Sequence, residues 1–135
     1  MNLPPDMLPV VLVIEDDPYL QKILKQCLKD SFVVVIYQNG LEAFKYLQEG
    51  NIPDIITTDL NVPGLKGIDF LKQVKSSGFF SSIPVVILSA DDSTDTRINC
   101  FEQGADDFIS KPFNPKELNI RMKTILKRFG KPVII

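Results

Sequence analysis

The chain has no histidine at all. That absence excludes Ser-His-Asp catalysis, histidine-based zinc sites and any role as a phosphohistidine donor. Cysteine is scarce too, with only Cys27 and Cys100. Both fall at apolar-periodic positions of helical stretches and lack metal-ligand spacing, so they read as small core residues of a reduced, cytoplasmic protein. No apolar run approaches the length of a membrane span, and the N-terminus lacks a charged-then-apolar leader pattern. Net charge is only −2, so bulk electrostatics names no membrane or nucleic-acid partner.

What is present fits one compact domain. At 135 residues the chain is long enough for a single core, and its 44% hydrophobic and 24% charged content is ordinary for a globular protein. The charge is unevenly placed: residues 1–110 sum to −8, whereas 111–131 sum to +6 through Lys111, Lys116, Arg121, Lys123, Lys127, Arg128 and Lys131 against Glu117 alone. The basic stretch reads as a solvated helix face with cations near its C-terminus rather than as a nucleic-acid surface.

Strand and helix patterns alternate five times. Val10–Ile14, Phe32–Tyr37, Ile55–Thr58, Val85–Leu88 and Asp107–Ser110 are apolar or β-branched runs of strand type. Asp17-Pro18 opens a first helix carrying Leu20, Ile23, Leu24, Cys27 and Leu28 on one stripe and ending near Asp30. Asn39-Gly40 breaks the second strand, and Leu41–Glu49, Ile68–Lys75 and Thr94–Gln103 follow as helices. Asn114-Pro115-Lys116-Glu117 opens the last one as a capping-box variant, with Leu118, Met122, Ile125 and Leu126 buried. Such alternation predicts a doubly wound parallel sheet covered on both faces. Residues 1–8 are expected to be an N-terminal tail, 9–128 the domain, and 129–135 a C-terminal tail or the start of a linker.

The strand ends carry the chemistry. Val10–Ile14 runs into Glu15-Asp16-Asp17, the third strand into Asp59, the fourth into Ser89, and the fifth into Lys111-Pro112. In a parallel sheet these ends share one edge, where open α/β sheets bind their ligands. Carboxylates gathered there repel one another unless a hard cation intervenes, and Mg²⁺ takes one or two carboxylates plus phosphate oxygens. Asp16 and Asp59 suit direct ligation, Glu15 a contact through water, and a backbone carbonyl just past Asp59 would complete the protein share. Lys111 and Ser89 suit phosphoryl oxygens, and Asp59 suits nucleophilic attack to give an acyl phosphate.

VLVIEDD, IITTDLNVPGLKG, VVILSA and GADDFISKPF stand in the order and spacing of the signature blocks of the receiver domains of two-component response regulators, which the chain resembles over roughly residues 9–128. The resemblance implies a (βα)₅ sheet of flavodoxin-like order 2-1-3-4-5. It implies Mg²⁺-dependent phosphorylation of Asp59 by a histidine kinase or histidine phosphotransfer protein, and signalling to a downstream effector or a covalently linked output domain. The domain would then be no enzyme beyond its own phosphorylation and dephosphorylation. Glu15 and Asp16 become the acidic pair, and the Asn61 carbonyl a metal ligand. Ser89 becomes the switch hydroxyl, Phe108 the switch aromatic, and Lys111 the phosphate-binding lysine before a cis Pro112. The face of the fourth helix, fifth strand and fifth helix would change its partner affinity on phosphorylation, including for a second copy as a phosphorylation-dependent dimer.

Two departures stand out. Val62 replaces a frequent methionine as a packing change, and Phe108 replaces a common tyrosine. Without a hydroxyl to keep it solvated, the Phe108 ring should turn inward at less cost. Asn61 and Asp91, each two positions past Asp59 and Ser89, are placed to touch an attacking water and tune the phosphate lifetime. The rival readings are weaker. An aspartate-nucleophile phosphatase would show Asp-x-Asp-x-Thr after its first strand, and a flavodoxin a Ser/Thr/Gly-rich phosphate loop there. A receiver-like interaction module working without phosphorylation would be expected to have lost a site residue, and none is missing.

Overall fold

The computed structural model describes residues 4–131 and 133; the remaining parts of the two expected tails lie outside the described residues. Five strands, β1 (Val10–Ile14), β2 (Val33–Tyr37), β3 (Ile55–Asp59), β4 (Val85–Ser89) and β5 (Asp107–Ser110), form one parallel sheet in the order β2-β1-β3-β4-β5. The helices between and after them are α1 (Pro18–Leu28), α2 (Gly40–Gln48), α3 (Gly67–Ser76), α4 (Thr94–Glu102) and α5 (Pro115–Arg128). The expected architecture and strand order are therefore met. Within the N-terminal tail, Pro5–Met7 adds a short 3₁₀ turn closed by Met7 N–H donating to Pro4 O at 2.8 Å.

Alternation along the strands splits the core in two. Leu12, Ile14, Ile56, Val85, Ile87 and Phe108 face α2, α3 and Cys100 of α4. Val11, Val13, Ile55, Val86, Leu88 and Ile109 face Leu24 and Leu28 of α1 and Leu118, Met122, Ile125 and Leu126 of α5. Phe32, read as the start of the second strand, instead precedes it and fills the α1–α5 side. Cys100 is buried, whereas Cys27 is only half-buried, at the α1–α5 seam where its carbonyl accepts from Asn119 Nδ2 at 2.8 Å.

Capping residues fix where the helices start. Asp17 accepts from Tyr19 N, and Asn114 from Lys116 N and Glu117 N, as the sequence predicts. Asn39 does more than break a strand: its side chain accepts from Leu41 N and Glu42 N, so Asn39-Gly40 is the start of α2. The reciprocal half of the capping box at α5 is diverted. Glu117 Oε1 pairs with Arg121 at 3.3 Å, and Arg121 also meets Asp107 at 3.2 Å. Part of the basic helix face is thus neutralised by its own neighbours, and Lys116, Lys127 and Arg128 remain exposed.

Candidate functional site

Parallel register brings the strand ends side by side: Ile14 is level with Thr58, Asp59 with Leu88, and Ser89 with Ser110. Glu15, Asp59, Ser89 and Lys111 each lie at or one step beyond these ends. Lys111 N–H donates to Ser89 O at 2.9 Å, which holds the last strand end against the fourth. The Lys111–Pro112 peptide is cis, as expected.

Glu15, Asp16 and Asp59 offer carboxylate oxygens that all lie within 4.8 Å of one another. Glu15 is 2% exposed and Asp16 is open to solvent. Lys111 stands between two of these acids, its Nζ 2.8 Å from Glu15 Oε1 and 2.6 Å from Asp59 Oδ2. Burial pushes the Glu15 carboxyl up, against the lowering effect of the Lys111 hydrogen bond and the Asp17 N–H that donates to Oε2 at 3.1 Å. Burial would by itself lower Lys111, but the two carboxylates outweigh it and hold the ammonium above its ordinary range.

The loop after β3 is packed closely against this cluster. Asn61 N–H donates to Asp59 Oδ1 at 3.1 Å, and Gly67 N–H to Leu60 O at 3.0 Å. A Cβ on Gly67 would lie 2.3 Å from the Asp59 carbonyl, and one on Gly40 would lie 1.9 Å from the Leu65 carbonyl. Gly40 N–H also donates to Pro63 O at 3.0 Å. Hence α2 braces the loop that carries Asn61, and only glycine permits the approach.

Ser89 is fully buried at the end of β4, and its Oγ accepts from Asp91 N–H at 3.1 Å. Phe108 is 7% exposed, with its ring already inside the α2–α4 side of the core. Lacking a hydroxyl, it has nothing to hold it in solvent. The Asp91 carboxylate is engaged on α4, accepting from Ser93 N–H at 3.2 Å and from the Thr96 hydroxyl at 2.8 Å. These hydrogen bonds, Thr96 first, pull its pKa below the usual value.

Sequence reasoning missed Gln21, whose Nε2 donates to the Glu15 carbonyl, and Gly40 and Gly67 as braces of the site. Gln21 lies one turn past the Asp17 cap, on the helix end that faces the strand, and that position was the available signal. An apolar groove of about 440 Å³ also opens beside Lys111, between Tyr19, Leu20 and Ile23 of α1 and the Pro112–Pro115 segment.

Comparison with known proteins agrees with this geometry. A family profile described as the response regulator receiver domain matches residues 11–123. Response regulator Rre1 of Synechocystis sp. is 35% identical over 120 residues, covering 87% of this chain and 52% of that protein. The receiver domain of Francisella response regulator 1452 superposes with a TM-score of 0.83 at 34% identity, covering 90% of this chain and 98% of the other. The Mn(2+)-bound form of response regulator Rcp1 gives a TM-score of 0.74 at 26% identity, covering 94% and 97%. The chain belongs to the response regulator receiver domain family, the signalling domains of two-component systems. It spans about half or less of the first curated relatives' own length. Among the described residues no helix is long and apolar enough to cross a membrane.

Proposed function

We propose that the domain accepts a phosphoryl group on Asp59 from the phosphohistidine of a histidine kinase or histidine phosphotransfer protein. The observation that carries this is the convergence of three carboxylates with one ammonium, Lys111, which bridges Glu15 and Asp59. Oxygen donors this close suit a hard divalent cation, and the Mn(2+)-bound relative supports one here. Glu15, Asp16, Asp59 and the Asn61 carbonyl would hold Mg²⁺, which would neutralise charge gathering on the phosphoryl oxygens.

The chain's own groups do the rest. An Asp59 carboxylate oxygen forms the new P–O bond while the donor's P–N bond breaks, its electron pair leaving with the ring nitrogen. Lys111 exchanges its bond to Asp59 for a phosphoryl oxygen, and Ser89 donates its hydroxyl hydrogen to another. The groove between α1 and Pro112–Pro115 seats a helix of the donor, because its rim includes Lys111 itself. Asn61 and Asp91 tune hydrolysis of the acyl phosphate. Beyond catalysing its own phosphorylation and dephosphorylation the domain is a switch, acting in the cytoplasm, where Cys27 and Cys100 stay reduced.

Because Phe108 is already inward, movement of Ser89 and of the segment leading into α4 carries the signal to the α4–β5–α5 face. That face signals to an effector, a linked output domain or a second copy. The test is labelling by acetyl phosphate with Mg²⁺. The wild type takes up phosphoryl, Asp59→Asn takes up none, and a chelator abolishes labelling of the wild type. Undiminished labelling of Asp59→Asn would overturn the assignment.

A further inference from the structure

Three residues after β4, Asp91, Ser93 and Thr96, form a closed chain of hydrogen bonds whose directions are all determined. Ser93 Oγ donates to Thr96 Oγ1 at 3.0 Å and accepts from Thr96 N–H at 3.3 Å. Thr96 has one hydroxyl hydrogen, and it goes to Asp91 Oδ2 at 2.8 Å. Asp91 Oδ1 takes Ser93 N–H at 3.2 Å. The other end of Asp91 is tied to the site, because its own N–H donates to Ser89 Oγ at 3.1 Å. The main chain of Asp91 therefore stands at the rim of the cleft while its carboxylate is turned away onto the first turn of α4. Moving the carboxylate from one position to the other would take a change of side-chain rotamer.

We propose that Thr96 is a positioning residue that sets the lifetime of the phosphoryl group by keeping the Asp91 carboxylate on α4 and off the attacking water. The inference rests on the reading of Asp59 as the acceptor. In hydrolysis the oxygen of a water forms a bond to phosphorus as the bond from phosphorus to the Asp59 oxygen breaks, with that electron pair leaving on the Asp59 carboxylate. The water's proton needs an acceptor, and a released Asp91 carboxylate supplies one before passing it to solvent. With its two oxygens held by Thr96 and Ser93, Asp91 serves only in the fraction of time that this latch is open. α4 is well placed to leave the latch in control, since Cys100 is its only buried residue.

Thr96→Val keeps the shape and removes the donor, whereas Thr96→Ser keeps the donor. Purified protein is labelled with acetyl phosphate and Mg²⁺, the donor is removed, and the decay of label on Asp59 is followed. Thr96→Val should shorten the half-life severalfold and Thr96→Ser should leave it close to wild type. In an Asp91→Ala background Thr96→Val should change nothing further. A wild-type half-life in Thr96→Val, or an equal shortening in the Asp91→Ala background, would overturn the proposal. A second readout needs neither metal nor phosphoryl. Amide exchange at Ser93 should quicken in Thr96→Val and not in Thr96→Ser, and unchanged exchange would also overturn the latch. A wild type that takes no label overturns the Asp59 reading instead, which the amide measurement does not touch.

Discussion

Lys111 Nζ lies 2.6 Å from Asp59 Oδ2, the shortest ion pair among the described residues, and 2.8 Å from Glu15 Oε1. One ammonium thus compensates two carboxylates that a third, Asp16, approaches within 4.8 Å. Lys111→Met should leave those charges facing one another and cost about 1–3 kcal/mol, less than a fully buried pair because water reaches the rim. Millimolar Mg²⁺ should restore much of the loss, since a bound cation takes over the compensation. Urea titrations with chelator and with Mg²⁺ measure both effects. A variant as stable as wild type in chelator and unmoved by Mg²⁺ would remove Lys111 from this role.

Gly40 governs the site from outside it. A methyl group there would lie 1.9 Å from the Leu65 carbonyl, and the neighbouring Gly40 N–H to Pro63 O bond ties α2 to the loop that carries Asn61. Gly40→Ala must push that loop outward, at roughly 1–3 kcal/mol of overpacking, and shift the Asn61 carbonyl with it. Mg²⁺ or Mn²⁺ affinity, read by calorimetry, should fall although no carboxylate has changed. Gly78→Ala, where an added methyl meets nothing within 4 Å, should leave affinity as in the wild type.

Much of this was legible in the sequence because it depends on order and period. The five apolar runs, the caps at Asp17 and Asn114 and the polar residue after each strand follow from local pattern, and a parallel sheet forces the ends together. Side-chain direction was less legible. Asn39 looked like a strand breaker because its capping role depends on Leu41 N and Glu42 N already being helical. Asp91 looked free to face the cleft because its bond to Thr96 exists only once α4 has begun where it does. Gly40 carries no signal of its own, since the Leu65 carbonyl that excludes a side chain there comes from a distant loop.

The Cys27 thiol gives a pH prediction. Burial at the α1–α5 seam pushes it up to about 11 from an ordinary 9.0. A thiol whose folded pKa is raised contributes stability that is complete below pH 9.0 and is lost as pH rises through about 11. Alkylation by iodoacetamide should therefore be slow near neutral pH and rise toward pH 11, and Cys27→Ser should remove the component that titrates there. Labelling of Cys27 at the rate of a free thiol near neutral pH would contradict the assignment.

Phe108 offers a direct test of how the switch is balanced. Its ring is 7% exposed on the α2–α4 side of the core, level with Ile87 of the neighbouring strand, which ends two residues on at the buried Ser89. Phe108→Tyr adds a hydroxyl that must either find a partner inside or carry the ring out to water, and an unpartnered buried hydroxyl costs about 1–3 kcal/mol. The ring should then divide between inward and outward positions, opening space beside Ser89. Two outcomes follow together: lower stability of the unphosphorylated domain, and a larger change in the α4–β5–α5 face on phosphorylation, because the ring now has farther to move. Aromatic NMR resonances of the Phe108→Tyr variant with and without the phosphoryl analogue beryllofluoride measure the shift. If the substituted ring stays inward in both states and stability is unchanged, the missing hydroxyl is not what holds Phe108 in place.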